Sequence, residues 1–200
     1  MRRVGLLGGT FNPPHAGHLH AARAALEGLA LDALWFLPDA EPPHKVLPPG
    51  TPTAQDRVEM TRRLASLLPR AEVCTLEQEL PAPSYTARTL GELARRCPDT
   101  SFVLVVGSDM FFTLDRWYRP DVIFRHAEIA ALARRDEDTA ALDGCRARLR
   151  EQYGARVSLL YADVLEVSST ALREALRRGE YPEALTEPVA AYIRERGLYR

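Results

Sequence analysis

Gly8-Gly9-Thr10-Phe11-Asn12-Pro13-Pro14-His15-Ala16-Gly17-His18 stands between a short apolar run, residues 4–7, and an alanine- and leucine-rich segment, residues 19–29. The run reads as a buried strand and the segment as a helix. A strand that ends in glycines and turns into a helix leaves free backbone N–H groups, and the positive end of a helix dipole, beside the strand's carboxyl edge. Gly8 and Gly9 let a phosphate approach the backbone with no Cβ in the way, and Thr10 adds a hydroxyl donor. His15 and His18, three residues apart where the helix opens, share one face. Imidazoles donate to phosphate oxygens, more strongly when protonated. Gly17 suits close approach of the helix end to a ligand or to the sheet. The stretch reads as a phosphate-handling site with two imidazoles aimed into it, and points to nucleotide chemistry.

Working outward, strand-like and helix-like segments alternate. Strands are expected at 33–37, 72–76, 101–106, 129–133 and 157–161. The SFVLVV run at 101–106 is the clearest, continuously apolar as a parallel strand buried on both faces should be. Helices are expected at 54–68 with Thr53 as cap, from Ser84 or Tyr85 to about 96, and at 121–125, 139–153, 169–178 and 188–196. This alternation predicts an α/β fold, a doubly wound parallel sheet with C-terminal helices, in one domain over residues 1–200. Ligands of such sheets bind beyond the carboxyl ends of the strands, so the loops at 8–18, 38–52 and 107–118 should converge there.

Composition excludes several function classes. The chain is 46% hydrophobic and 26% charged with a net charge of −1, which gives no general electrostatic case for nucleic acid or an anionic membrane. Lys45 is the only lysine, and the arginine bias fits either a GC-rich genome or thermal adaptation. Cys74, Cys97 and Cys145 form no CxxC pair, which argues for a reducing compartment and against a zinc site. No apolar run approaches the roughly 20 residues that cross a bilayer, and the N-terminal run is too short for a signal peptide. A cytoplasmic location is expected.

Four further stretches carry polar chemistry. Pro42-Pro43-His44-Lys45 sets the one lysine on a stiffened loop, where a compact ammonium among phosphate oxygens is one reading and a chance exposed lysine the other. Ser84-Tyr85-Thr86 precedes a helix, as ordinary caps do. Gly107-Ser108-Asp109 follows the strongest strand, with Trp117-Tyr118 downstream. An Asp past a strand end accepts from ribose hydroxyls, and Trp117 is either a ring-stacking platform or a core anchor. Val167-Ser168-Ser169-Thr170-Ala171-Leu172-Arg173 opens a helix with three hydroxyl residues and sets Arg173 one turn in. That is an anion site or a capped helix with a surface arginine.

The first stretch resembles the leading signature of the nucleotidyltransferase superfamily with the (H/T)xGH motif, and more narrowly that of the bacterial nicotinate mononucleotide adenylyltransferase family. Related families tend to have Asp after the Phe, where this chain has Asn12-Pro13. Pro42 to Lys45 resembles the family's second signature, and Gly107-Ser108-Asp109 with Trp117 its GxD…W pattern. Residues 167–173 resemble its ISSTxIR signature, with Val and Leu in place of two isoleucines. Residues 188–193 and Gly197-Leu198-Tyr199 resemble its C-terminal tail, where packing is the expected role. One departure falls after the fifth strand, where the family tends to read Arg-Pro-Gly and this chain reads Arg134-Arg135-Asp136.

The resemblance implies adenylyl transfer from ATP to nicotinate mononucleotide by direct in-line attack, with Mg²⁺ carried by ATP and no metal cage of protein ligands. His15, His18, Lys45 and Arg173 would be catalytic. Gly8, Gly9, Thr10, Phe11, His18, Gly107, Asp109, Ser168, Ser169, Thr170 and Arg173 would bind ATP. Lys45, Ser84, Tyr85, Thr86, Trp117, Tyr118 and Arg134 would bind the mononucleotide, with helix N–H groups near Thr86 meeting the pyridine carboxylate. The implied partners are these two small molecules, with no nucleic acid and no membrane, and a homo-oligomer stays open. The alternatives are an adenylyltransferase preferring nicotinamide mononucleotide or another phosphorylated acceptor, and a non-catalytic nucleotide-binding protein.

Overall fold

Strand β1 (Arg2–Gly9) lies inside a six-stranded, all-parallel sheet in the order β3-β2-β1-β4-β5-β6. The computed structural model describes residues 1–134, 137–162, 165 and 167–200. The other strands are β2 (Ala33–Pro38), β3 (Ala71–Val73), β4 (Thr100–Gly107), β5 (Ala127–Ala133) and β6 (Val157–Tyr161). Chain order runs outward from β1 in both directions, so β1 and β4, paired with Leu6 opposite Leu104, form the switch point at which a crevice opens beyond the strand ends.

The side-chain period of two assigns each strand to two layers. In β4, Phe102, Leu104 and Val106 enter one core and Val103 and Val105 the other. The first core is covered by α3 (Leu76–Glu79), α4 (Thr86–Arg96), α5 (Ser108–Phe111), α6 (Pro120–His126) and α7 (Thr139–Tyr153). The second is covered by α1 (Ala16–Gly28), α2 (Ala54–Ala65), α8 (Ser169–Arg177) and α9 (Glu187–Arg196). Fully burying one such Leu or Phe is worth about 1.5–3 kcal/mol, which fixes the register on which the loops depend.

The doubly wound sheet expected from the sequence is the fold observed, with several boundaries shifted; the helix expected over 54–68, for one, ends at Ala65. The third strand ends at Val73, and Leu76 opens α3 instead of closing the strand. Residues 107–118 hold α5 and a 3-10 turn, Leu114–Arg116, where a loop was expected. Helix α1 begins at Ala16, with His15 as its N-cap.

Candidate active site

The floor of the site is a buried arginine. Arg57, 1% exposed, lies on the inner face of α2 and reaches under two loops. Its Nη1 donates to the carbonyls of Thr10 (2.8 Å) and Asp39 (2.7 Å) and to Oδ1 of Asp39 (2.9 Å), and its Nη2 to the carbonyl of Ala40 (2.9 Å). The Thr10 hydroxyl donates to the other oxygen of Asp39 at 2.7 Å. One cation thus ties the end of β1 to the end of β2. The hydroxyl expected to meet a phosphate is engaged by Asp39, because Asp39 needs a second donor once it is buried. The loop still offers backbone: Gly8 and Gly9 line a cavity, and a Cβ on Gly8 would meet open space.

Above this floor a groove of about 320 Å³ gathers Thr10, Asn12, His18, Lys45, Thr170 and Arg173 from distant parts of the chain. The rings of His15 and His18 lie 3.8 Å apart. The His15 N–H donates to His18 Nδ1 at 3.2 Å, so the neutral His18 ring carries its proton on Nε2. Burial lowers the pKa of His15 to about 4, and burial with the neighbouring His15 lowers that of His18 well below 6.5. Both imidazoles are thus held in the neutral form at pH 7, chiefly because burial penalises their charged forms.

His15 Nε2 lies 3.2 Å from Ser169 Oγ, which joins the openings of α1 and α8. The close approach expected of Gly17 is to His15: a Cβ there would come within 3.0 Å of its ring nitrogen and 3.1 Å of the Leu165 carbonyl. Phe11, left-handed at φ 48°, packs between His18 (4.9 Å) and Phe36 (5.8 Å) and so backs the imidazole. Ser168 caps α8 by accepting from the Ala171 N–H at 3.3 Å. Arg173 donates to Thr170 Oγ1 (2.9 Å) and across the groove to the Asn12 carbonyl (2.8 Å).

A second cavity of about 370 Å³ adjoins the first, and Thr10 and Lys45 line both. Pro42, Thr86, Gly107, Met110 and Trp117 form its walls. Trp117 packs one side against the core and turns another to the cavity. Thr86 is the first residue of α4, and its N-cap Tyr85 makes no side-chain cap bond. The Arg88 N–H is taken by the Tyr85 carbonyl at 2.9 Å, while the amides of Thr86 and Ala87 come before any intrahelical acceptor. Ser84 does not cap the helix, because its hydroxyl accepts from the N–H groups of Ala40 (3.0 Å) and Glu41 (3.4 Å) and pins the Pro-rich loop. Tyr85 stacks on Tyr118 at 4.4 Å with the Arg88 guanidinium over both rings.

Glu77 of α3 also faces this cavity, 8% exposed, and accepts from Thr89 Oγ1 at 2.8 Å. Burial pushes its pKa up to about 7; the Thr89 and Ser84 hydroxyls pull down and Asp39 adds to the rise. Asp109, in the first turn of α5, and Arg134, just past β5, are exposed and line neither cavity. The Arg134 N–H donates to Glu137 at 3.2 Å, and Ser108 donates to the same carboxylate at 2.6 Å. Arg135 and Asp136, the departure from the family pattern, lie outside the described residues.

Sequence reasoning missed Arg57, Asp39 and Glu77. One signal was available for Arg57, which lies four and seven residues before the buried Thr61 and Leu64, on the core face of α2. A larger open groove, about 1210 Å³, runs along α7 to the first residue of β6, and none of the motifs falls in it. Among the described residues, no group of three or more His, Cys, Asp or Glu side chains is arranged to hold a metal ion, and no helix is long and apolar enough to cross a membrane.

Residues 6–175 match the Cytidylyltransferase-like family. The chain is 38% identical over 200 residues to a probable nicotinate-nucleotide adenylyltransferase of Lachnoclostridium phytofermentans, covering 100% of both chains. It is 39% identical over 198 residues to one from Exiguobacterium sibiricum, covering 98% of each. A Plasmodium falciparum nicotinic acid mononucleotide adenylyltransferase complexed with NaAD superposes with a TM-score of 0.74 at 15% identity, over 100% of this chain and 98% of that one. That likeness shows the shared fold.

Proposed function

Because the chain belongs to the nicotinate-nucleotide adenylyltransferase family, within the Cytidylyltransferase-like proteins, we propose that it transfers the adenylyl group of ATP to nicotinate mononucleotide, giving nicotinate adenine dinucleotide and pyrophosphate. The observation that carries this reading is the pair of adjoining cavities with Thr10 and Lys45 at their common wall. A triphosphate in the first groove and an acceptor phosphate in the second would meet there, and an anionic phosphate needs no general base to attack the α-phosphorus. Catalysis is then positioning plus charge stabilisation.

The donor of His18 in this scheme is Nε2–H, since Nδ1 is engaged by the His15 N–H. Lys45 would span both phosphates, and Arg173, with the opening of α8, would hold the departing pyrophosphate. Gly107, on the wall of the second cavity, would meet ribose, while Asp109 and Arg134, which line neither cavity, would reach ribose and the acceptor phosphate only from beyond the rim. Trp117 would stack on the pyridine ring, between the Tyr118 side and the first-turn amides at Thr86, whose helix-end field favours a carboxylate over a neutral amide. Mg²⁺ would arrive on the oxygens of ATP, keeping several waters. A cytoplasmic setting accords with three free thiols.

Pyrophosphate release with ATP, Mg²⁺ and each of nicotinate mononucleotide, nicotinamide mononucleotide and phosphopantetheine tests this. The nicotinate nucleotide is expected to give the highest kcat/KM. ATP binding without pyrophosphate release from any acceptor would make the chain a nucleotide sensor.

A further inference from the structure

Beyond α9 the backbone turns left-handed at Gly197 (φ 64°) and again at Tyr199 (φ 64°) and runs back beneath the first loop. A tyrosine held in that conformation is uncommon and needs surroundings that fix it. The ring is buried in the core layer under α1, α2 and α9. Its hydroxyl donates to Oδ1 of Asn12 at 2.7 Å, a bond between residues 187 positions apart. Asn12 is 5% exposed and lines the triphosphate groove. Its side-chain Nδ2 donates to Thr51 Oγ1 at 3.4 Å, and its backbone carbonyl accepts from Arg173 Nη1 at 2.8 Å. The phenol therefore holds the side chain of the residue whose backbone carbonyl receives the Arg173 guanidinium.

Helix α9 is itself anchored to α2. The Tyr192 hydroxyl donates to Asp56 Oδ1 at 2.9 Å, and Arg196 lies 3.6 Å from the same oxygen. Burial raises the Tyr199 phenol above its ordinary pKa while Arg173 and Arg57 act in the opposite sense. The hydroxyl thus keeps its proton and stays a donor across the neutral range.

We propose that Tyr199 is a positioning residue for the triphosphate groove: through Asn12 it sets the aim of Arg173, so that docking of residues 197–199 and binding of ATP are linked. The inference rests on the reading of this groove as the ATP site. By reciprocity, ATP should tighten the tail as much as the tail tightens ATP. The acceptor cavity, whose walls include neither Asn12 nor Arg173, should not sense the change.

Tyr199→Phe keeps the ring and deletes only the hydroxyl. It should lower kcat/KM for ATP by about 5–10-fold, the effect of one buried hydrogen bond, and leave KM for nicotinate mononucleotide within about twofold. In an Asn12→Ala background the same substitution should add nothing further. Equal damage to both substrates, unchanged ATP kinetics, or full additivity with Asn12→Ala would overturn the proposal. On the unaltered chain, α,β-methylene-ATP should slow hydrogen exchange at the amides of Leu198 and Tyr199, and an unchanged rate would overturn it without any variant having to fold. A native chain that releases no pyrophosphate with any acceptor would fail the proposed reaction, whereas the exchange measurement would still report on the groove and its tail.

Discussion

The groove proposed for the triphosphate and the cavity proposed for the acceptor share a wall but conceal opposite kinds of proton carrier. The groove encloses two bases, the buried His15 and the half-buried His18, and holds them uncharged by keeping their pKa values low. The cavity buries an acid, Glu77, and moves it toward its uncharged form by raising its pKa to about 7. Desolvation is the main cause in each case, and the sign differs only because a base loses its charge by releasing a proton and an acid by taking one. Only the cavity is thereby spared a charge of the wrong sign, where an anionic acceptor is proposed to sit; the groove keeps neutral imidazole donors and must draw its positive charge from elsewhere. Lys45 and Arg173 supply the cationic charge at the groove.

The largest effect should come from removing what joins the two regions. Arg57→Met leaves Asp39 buried without its cation, and urea unfolding should show a loss of about 3–5 kcal/mol. KM should rise for both substrates in whatever folds. A loss below about 1 kcal/mol would mean that the two loops hold themselves in place. Next, His18→Ala should lower kcat by roughly 10²–10³, as the loss of one preorganised donor does, and near-normal turnover would remove His18 from the chemistry.

The contrast in proton linkage is sharpened by stability against pH. His15, at about 4 when folded against 6.5 otherwise, contributes stability that is complete above pH 6.5 and lost as the pH falls toward 4. Glu77, at about 7 against 4.5, contributes stability that is complete below pH 4.5 and lost as the pH rises toward 7. Each window is worth roughly 3 kcal/mol at most by the width of the shift. His15→Gln should flatten the acid limb of the unfolding profile and Glu77→Gln the limb above pH 4.5. Parallel changes in the two variants would erase the distinction. The smallest effect is expected for Trp117→Ala, which should raise KM for nicotinate mononucleotide by about tenfold, the worth of one ring stack. Equal loss of both substrates would mark the indole as a core residue alone.

Much of this site was legible along the chain because its chemistry sits in short local signals. Gly8 to His18 read correctly as strand end, turn and helix start, since glycine, proline and apolar periodicity act within a few residues. The same locality misled in two places. Thr10 and Ser84 carry hydroxyls where a phosphate contact or a helix cap would be expected, but each is engaged by a partner more than 25 positions away, Asp39 and the amides at 40–41. Glu77 drew no reading at all, because nothing nearby in sequence announces that α3 faces inward.

Sequence by itself determined the α/β alternation, the parallel sheet and the group of motifs that belongs at its carboxyl edge, because hydrophobic period and turn chemistry are properties of neighbouring residues. Tertiary structure alone decided which charges survive there. Imidazoles are neutral, a carboxyl is half-protonated near pH 7 and an arginine is buried under two loops only because distant segments close over them and exclude water, and the cost of desolvating an ion is set by that enclosure.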